Sequence, residues 1–443
     1  MTRRVLITGV GPVSGLGLGG EPSWQAILAG RSAIGPIQAF DAAGFDCRIG
    51  AEVAEFKVRD FVPKSYRKAT KVMARDIELA VAAADLAARD AGLVTRGINA
   101  DAEPSYAPPR VGAHIGAGLI AAELDELTAA LAESATDDGR LDLHHWGREG
   151  MNHLTPLWLL KYLPNMLACH VTIIHDAQGP SNTITCNEAS GILSLGESLR
   201  SIQRGVADAG FVGGTDAKLN PMALLRQHYA GRLNTSDNDR PGEAVRPFSI
   251  DAAGGVVGEG GGIVVLEAEQ TFKSRGGGRE GGEPYAAVLG FGASQTVNPA
   301  KRNLEPDAEG RGIAVAIEKA LRDAGVGAEA IDLVVPFGCG DRTWDAAEAA
   351  ALKRVFGEAL SGIPVRSTKA LAGNCGAGAG ALDLCVAALA LKQGVIPPAI
   401  NCREPLAGIE AATAEARRAP LRHALVYATG IGGQNAAIVL GAV

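Results

Sequence analysis

The 443-residue chain carries 58 glycines against only 10 Phe, 6 Tyr and 4 Trp, so its core must be assembled mainly from small aliphatic side chains. At 47% apolar and 21% charged residues it can bury a large core, which excludes a disordered or low-complexity polymer. A net charge of −7 excludes the basic footprint that a phosphate backbone requires, so nucleic acid is not an expected partner.

Short apolar runs alternate with long Ala/Leu stretches, the pattern of an α/β architecture with covered sheets. Residues 3–11 predict a strand running into a GxG-type turn, which lacks GxGxxG spacing and is therefore structural rather than dinucleotide-binding. Ile77, Ala80, Val81 and Ala84 recur at helical spacing within residues 70–92, with Gly92 as a natural stop. RVGAHIGAG at 110–118 predicts a further strand, followed by an acidic helix. Residues 133–146 are polar and read as a surface insertion, which makes His144, His145 and Trp146 surface features rather than ligands. His114, His170 and His175 are expected to be satisfied structurally.

The segment 176–191, DAQGPSNTITCNEASG, turns from a strand directly into a helix whose apolar face is Ile192, Leu195, Leu199 and Ile202. Such an elbow, at 186–191, presents one side chain at a helix N-terminus, where free N–H groups and the helix dipole favour an anion. The presented residue is Glu188.

Residues 240–262 are glycine-rich and lead into a buried strand, IVVLEAE. SRGGGREGGEP at 274–284 holds too much glycine and charge to pack a core and predicts a linker. Beyond it the pattern restarts: AAVLGFGAS at 286–294 resembles RVLITGVGPVS, and Ile313, Ile317, Ala320 and Leu321 mark a helix. A strand at 332–336 and a helix marked by Leu382, Cys385, Val386 and Leu389 follow. Two similar α/β halves are therefore expected, at 1–273 and 285–443. Ala424–Val443 is twenty residues without a charge, long enough to cross a bilayer. Gly430, Gly432, Gly433, Gln434 and Asn435 divide it into two strands, and no membrane span is predicted. Seven cysteines without CxxC or zinc-ligand spacing, and opening residues unlike a secretory leader, predict no metal and a reduced, cytoplasmic setting.

Five ordered segments are similar to the β-ketoacyl-acyl-carrier-protein synthases, or ketosynthases: VLITGVGPVS at 5–14, LPNMLACHVTIIHDAQGPS at 163–181, RPFSIDAAGGVVGEGGGIVVLE at 246–267, VRSTKALAGNCGAGAGA at 365–381 and GIGGQN at 430–435. The resemblance implies a thiolase-like fold of two pseudo-duplicated halves, layered αβαβα over covered mixed sheets. It also implies that the family's Cys-His-His positions fall on Glu188, Phe337 and Asn374, with Cys186 two residues upstream in the strand. Lys369 in STK and Glu348 in DAAEA are retained, and family geometry implies a buried pair between them. Gly430, Ile431 and Gly432 stand at the family's gate, with Ile431 in place of a gating Phe. Cys339 and Cys375 follow the lost histidine positions and are expected at the acyl pocket.

Condensation needs a thiolate to accept the acyl chain, and a carboxylate would give a labile anhydride instead. It also needs donors to the enolate, where losing even one commonly costs about 10²–10³ in rate. Phe337 offers none. The leading expectation is a non-condensing subunit resembling chain-length factors. It would engage an acyl chain on an acyl carrier protein and dimerise around the NTITC strand, with an active ketosynthase or with itself. Two alternatives stay open: altered acyl-transfer or thioester hydrolysis with Glu188 as general base, and a homodimeric acyl-binding protein. No cofactor is implied.

Overall fold

A computed structural model describes residues 3–277, 282–301 and 304–443; residues 278–281 of the expected linker lie outside the described residues. The first half contributes strands β1 (Val5–Ser14), β2 (Val111–Ala117), β3 (Ser181–Ile184), β4 (Ala209–Ala217) and β5 (Glu259–Ala268). Its helices are α1 (Arg75–Asp90), α2 (Met166–His175), α3 (Ser190–Gln203) and α4 (Pro221–Tyr229). The second half contributes β6 (Ala286–Gln295), β7 (Leu333–Val335), β8 (His423–Thr429) and β9 (Gln434–Gly441). Its helices are α5 (Arg311–Ala324), α6 (Arg342–Phe356) and α7 (Ala379–Gln393).

The strands run in the order β7-β8-β9-β6-β1-β5-β4-β2-β3. In the first half β5 lies between β1 and β4 and runs antiparallel to both, while β4, β2 and β3 are parallel. The second half repeats this with β6, β9 and β8 antiparallel, β8 and β7 parallel, and a parallel bridge from Val334 to Val365 where the fifth strand would stand. A short antiparallel ladder, Val5–Ile7 on Ala286–Val288, joins the two sets at their first strands. The repeat is thus one of topology as well as of sequence pattern.

Side-chain alternation places each sheet between helix layers. Ile263 and Val265 of β5 pack into the core shared with α1 and α2, whereas Val264, Leu266 and Ala268 face the central core of α3 and α7. On the other sheet Ala424, Val426 and Ala428 join that same central core, and Leu425 and Tyr427 face α5 and α6. Helix α7 lies between both sheets and is buried from Ala379 to Leu391, which fits a sequence in which nine of fifteen residues are Ala or Leu.

Two expectations are corrected here. The helix expected from residue 70 begins at Arg75, after a 3₁₀ turn at Ala69–Val72 and two extended residues. The two GxG pairs are not turns. They lie within β1 and β6, where a Cβ on Gly9 or Gly11 would stand 2.4 or 2.1 Å from backbone oxygens of α1, and one on Gly290 or Gly292 would stand 2.3 or 2.0 Å from those of α5. Each half uses its two glycines to let a helix backbone touch its first strand. Gly292→Ala should therefore destabilise the chain by about 1–3 kcal/mol, the usual range for overpacking, measurable as a lowered melting temperature; an unchanged melt would contradict the close approach. The uncharged C-terminal stretch forms the hairpin β8–β9, and no helix among the described residues is long and apolar enough to cross a membrane.

Candidate functional site

The elbow forms as its sequence requires. β3 ends at Ile184, Cys186 follows outside the strand, and Asn187 takes a left-handed φ of 48°, a region Asn tolerates better than most residues. The Ser190 hydroxyl donates to the Asn187 carbonyl at 2.6 Å and accepts from the Cys186 N–H at 2.8 Å, closing the turn. The Asn187 amide reaches the Ile431 carbonyl at 2.6 Å and ties the elbow to the glycine-rich loop between β8 and β9. Glu188 stands in the 3₁₀ turn that opens α3 and is only 3% exposed.

Its carboxylate is held from two sides. Oε1 accepts from Arg232 Nη1 at 2.8 Å and from Asn374 Nδ2 at 3.1 Å. Asn374 Oδ1 in turn accepts from the Gly376 N–H at 3.0 Å, which fixes which end of the amide faces Glu188. Burial pushes the Glu188 carboxyl up, but the Arg232 charge and the Asn374 hydrogen bond outweigh it, and the group sits below the ordinary glutamate range. Glu188 is an anion here. A Cβ on Gly430 would stand 2.3 Å from Glu188 Oε2, so only glycine fits beside the carboxylate.

Arg232 is the residue that sequence reasoning missed. Its guanidinium, 5% exposed, lies 5.1 Å from the Trp344 ring centre and 5.5 Å from that of Phe337. Phe337 is fully buried, packs edge-on against Trp344, and carries Lys369 Nζ over its ring at 5.6 Å. Ile431 packs on the same aromatic group. The structure thus brings Glu188, Asn374 and Phe337 together, with Arg232 as the link between them. Nothing in the pattern around AGRLNTSDND marks Arg232 in advance.

The expected Lys369–Glu348 pair is not formed. Lys369 pairs instead with Asp383 of α7, which also accepts from the Thr368 hydroxyl at 2.6 Å. Glu348 accepts from the Gly338 N–H at 2.9 and 3.1 Å. Burial, then repulsion from Asp345, pushes Glu348 up to about 8, and burial pushes Asp345 up to about 7. Both groups hold protons more tightly folded than unfolded, where Asp and Glu release them near about 3.9 and 4.3. Their contribution to stability is complete below those values and is lost as pH rises toward 8. Glu348→Gln, neutral throughout, should therefore flatten the fall in melting temperature between about pH 5 and 8; an unaltered profile would contradict the buried proton.

A cavity of about 230 Å³ opens at the site, lined among others by Glu188, Arg232, Asp216, Lys218, Arg226 and Ile431. Lys218 pairs with Asp216 at 2.7 Å, and Asp216 Oδ2 accepts from the Ala377 N–H at 2.9 Å. Of the expected pocket residues, Ile431 lines this cavity and Gly430 abuts Glu188, whereas Gly432, Cys339 and Cys375 do not line it. Cys339 is packed with Phe337 and Trp344, and burial pushes its thiol well up. Cys375 sits in the central core, its thiol pushed up to about 12 by burial. Both are core residues. Among the histidines, His170 Nδ1 bonds Tyr66 and His175 Nδ1 bonds Thr95, each at 2.8 Å, whereas His170 Nε2 and His114 Nδ1 are buried with no partner among the described residues, so the expected structural satisfaction is incomplete.

Residues 2–271 match the family described as Beta-ketoacyl synthase, N-terminal domain, and residues 285–403 match Beta-ketoacyl synthase, C-terminal domain. The chain belongs to the β-ketoacyl synthase family. Among the relatives of this ketosynthase-family chain, 3-oxoacyl-acyl-carrier-protein synthase 2 of Coxiella burnetii is 33% identical over 447 residues, covering 99% of this chain and 98% of its own. The actinorhodin polyketide putative beta-ketoacyl synthase 2 of Streptomyces coelicolor is also 33% identical, over 440 residues and 98% of both chains. A solved structure described as the ishigamide ketosynthase/chain length factor superimposes with a TM-score of 0.82 at 29% identity over 100% of both chains.

Proposed function

We propose that this chain is a non-condensing subunit of the chain-length-factor kind, which pairs with an active ketosynthase and helps to shape the path of an acyl chain carried on acyl carrier protein. The carrying observation is the state of Glu188. At the elbow where the family resemblance puts the nucleophilic Cys stands an anionic carboxylate locked to Arg232 and Asn374. It can neither form a stable acyl intermediate nor serve well as a base, since a useful base has its pKa near the working pH. Phe337, at the first histidine position, has no hydrogen to donate to an enolate. The reading draws support from the likeness to an ishigamide ketosynthase/chain length factor, and from the carrier named in the Coxiella relative.

A partner surface is available. β3 is the last strand of its sheet, with Ser181 and Asn182 exposed, and the region between residues 119 and 173 exposes Leu119, Leu143, Met151, Leu157, Leu159 and Ile173. An unpaired edge and exposed apolar side chains are what a strand-pairing dimer would cover.

The test is purification of the chain alone and together with a Cys-His-His ketosynthase. Alone, the chain should show neither condensation nor malonyl decarboxylation, and together the two should run as a 1:1 complex in native mass measurement. Release of thiol from acyl-thioesters that Glu188→Gln abolishes would overturn the reading in favour of altered enzyme chemistry. A stable dimer of this chain alone, indifferent to the ketosynthase, would favour a homodimeric acyl-binding protein.

A further inference from the structure

We propose a second small-molecule site, at the opposite end of β2 from Glu188, that takes a small apolar carboxylate. A cavity of about 220 Å³ lies there, between the loop of residues 93–108, the C-terminal end of α2 and the first residue of β2, Val111. Gly116 near the other end of β2 packs on the elbow, where its Cβ would stand 2.6 Å from the Gly191 nitrogen. Five residues of strand, about 17 Å, separate the two positions. The cavities are therefore distinct.

Leu93, Val94, Ala102, Pro104, Tyr106 and Val111 give it apolar walls, and Thr95, Asn99 and Ser105 line it as well. Two of its lining groups can donate to an anion, His175 and Arg96. His175 lines the cavity and is only 4% exposed; its Nδ1 bonds the Thr95 hydroxyl at 2.8 Å and its ring lies 4.6 Å from that of Phe211. Its Nε2 has no hydrogen-bond partner among the described residues. Burial, with a further push from Arg89, holds the imidazole neutral, down to about 3. In the tautomer in which the Thr95 hydroxyl donates to Nδ1, the neutral ring presents Nε2–H as a donor, and an anionic ligand selects that tautomer. Arg96 also lines the cavity, is exposed, and forms no ion pair or hydrogen bond with any described residue. One carboxylate stands nearby, Asp176, whose Oδ1 accepts from Gln178 at 2.9 Å.

An unmatched guanidinium beside a buried imidazole donor, over apolar walls, calls for an acceptor with negative charge on an apolar body. A water occupies about 30 Å³ of liquid, so a ligand of on the order of ten non-hydrogen atoms fits. That is the size of benzoate or hexanoate.

Full-length protein titrated with benzoate and with hexanoate by calorimetry should show saturable 1:1 binding. Benzamide and benzylamine should bind at least tenfold more weakly than benzoate. Arg96→Gln, a surface change, should weaken benzoate at least tenfold with an unchanged melting temperature, and His175→Asn should weaken it where the variant still melts cooperatively. A crystal soaked in benzoate should place the carboxylate within hydrogen-bond distance of His175 Nε2 or Arg96. Absence of saturable binding by either acid, equal binding of benzamide, indifference to Arg96→Gln, or benzoate seated in the Glu188 cavity instead would each overturn the proposal.

Discussion

Arg232→Ala is expected to cost about 3–5 kcal/mol of folding stability, the usual result of breaking a buried ion pair from one side. The loss has two parts. Glu188, 3% exposed, would keep its charge without the guanidinium that makes the anion tolerable there, and the space over the Phe337 and Trp344 rings would empty. Glu188→Gln should also destabilise, since it strands Arg232 as a buried cation. The double variant Glu188→Gln with Arg232→Met should recover most of the loss, because replacing both partners of a buried pair by groups of similar shape is often close to neutral. Urea unfolding at constant m-value reads all three, and adding Arg232→Met as the matching single variant completes the cycle that gives the coupling directly. Additive losses would mean that the pair does not act as a unit.

Glu188→Cys is expected to give a chain that accepts an acyl group and still does not condense. Arg232, 2.8 Å from the present carboxylate, would lower the pKa of a thiol at the start of α3 and make it reactive near neutral pH. The chain should then gain the mass of an acyl group from an acyl-thioester, and of a carbamidomethyl group from iodoacetamide. Decarboxylation of malonyl thioester should stay absent, because Phe337 supplies no donor and each missing donor costs about 10²–10³ in rate. Carbon dioxide release at a rate comparable with an intact ketosynthase would refute the assignment of Phe337 and Asn374 to the two histidine positions.

Particular residues show how far the site could be read in advance. Glu188 was legible because an elbow is a local device: a strand, a tight turn and a helix start within sixteen residues, and the turn itself selects which side chain is presented. Asn374 and Phe337 were legible only through resemblance, and the structure shows that Asn374 reaches Glu188 while Phe337 reaches Arg232. The Lys369–Glu348 pair was expected from two retained residues, yet Asp383 takes the lysine and a backbone N–H takes the glutamate. Cys339 and Cys375 looked available in the sequence and are core residues in the fold. The GxG pairs were read as turns because glycine usually marks them, whereas here the missing Cβ makes room for a neighbouring helix.

The sequence by itself determined the α/β class, the alternation of covered strands and helices, the repeat of the two halves and the residue at the elbow. All of these depend on neighbours within a few turns or on a period of two or 3.6 residues, which the order of side chains carries directly. Only the tertiary structure decided that Glu188 is an anion gripped by Arg232, 44 positions away, and by Asn374, 186 positions away. Which distant loops meet over an elbow depends on how two sheets and their shared helices stack. The charge state of a buried carboxylate then depends on the partners that stacking delivers, balanced against the water it excludes.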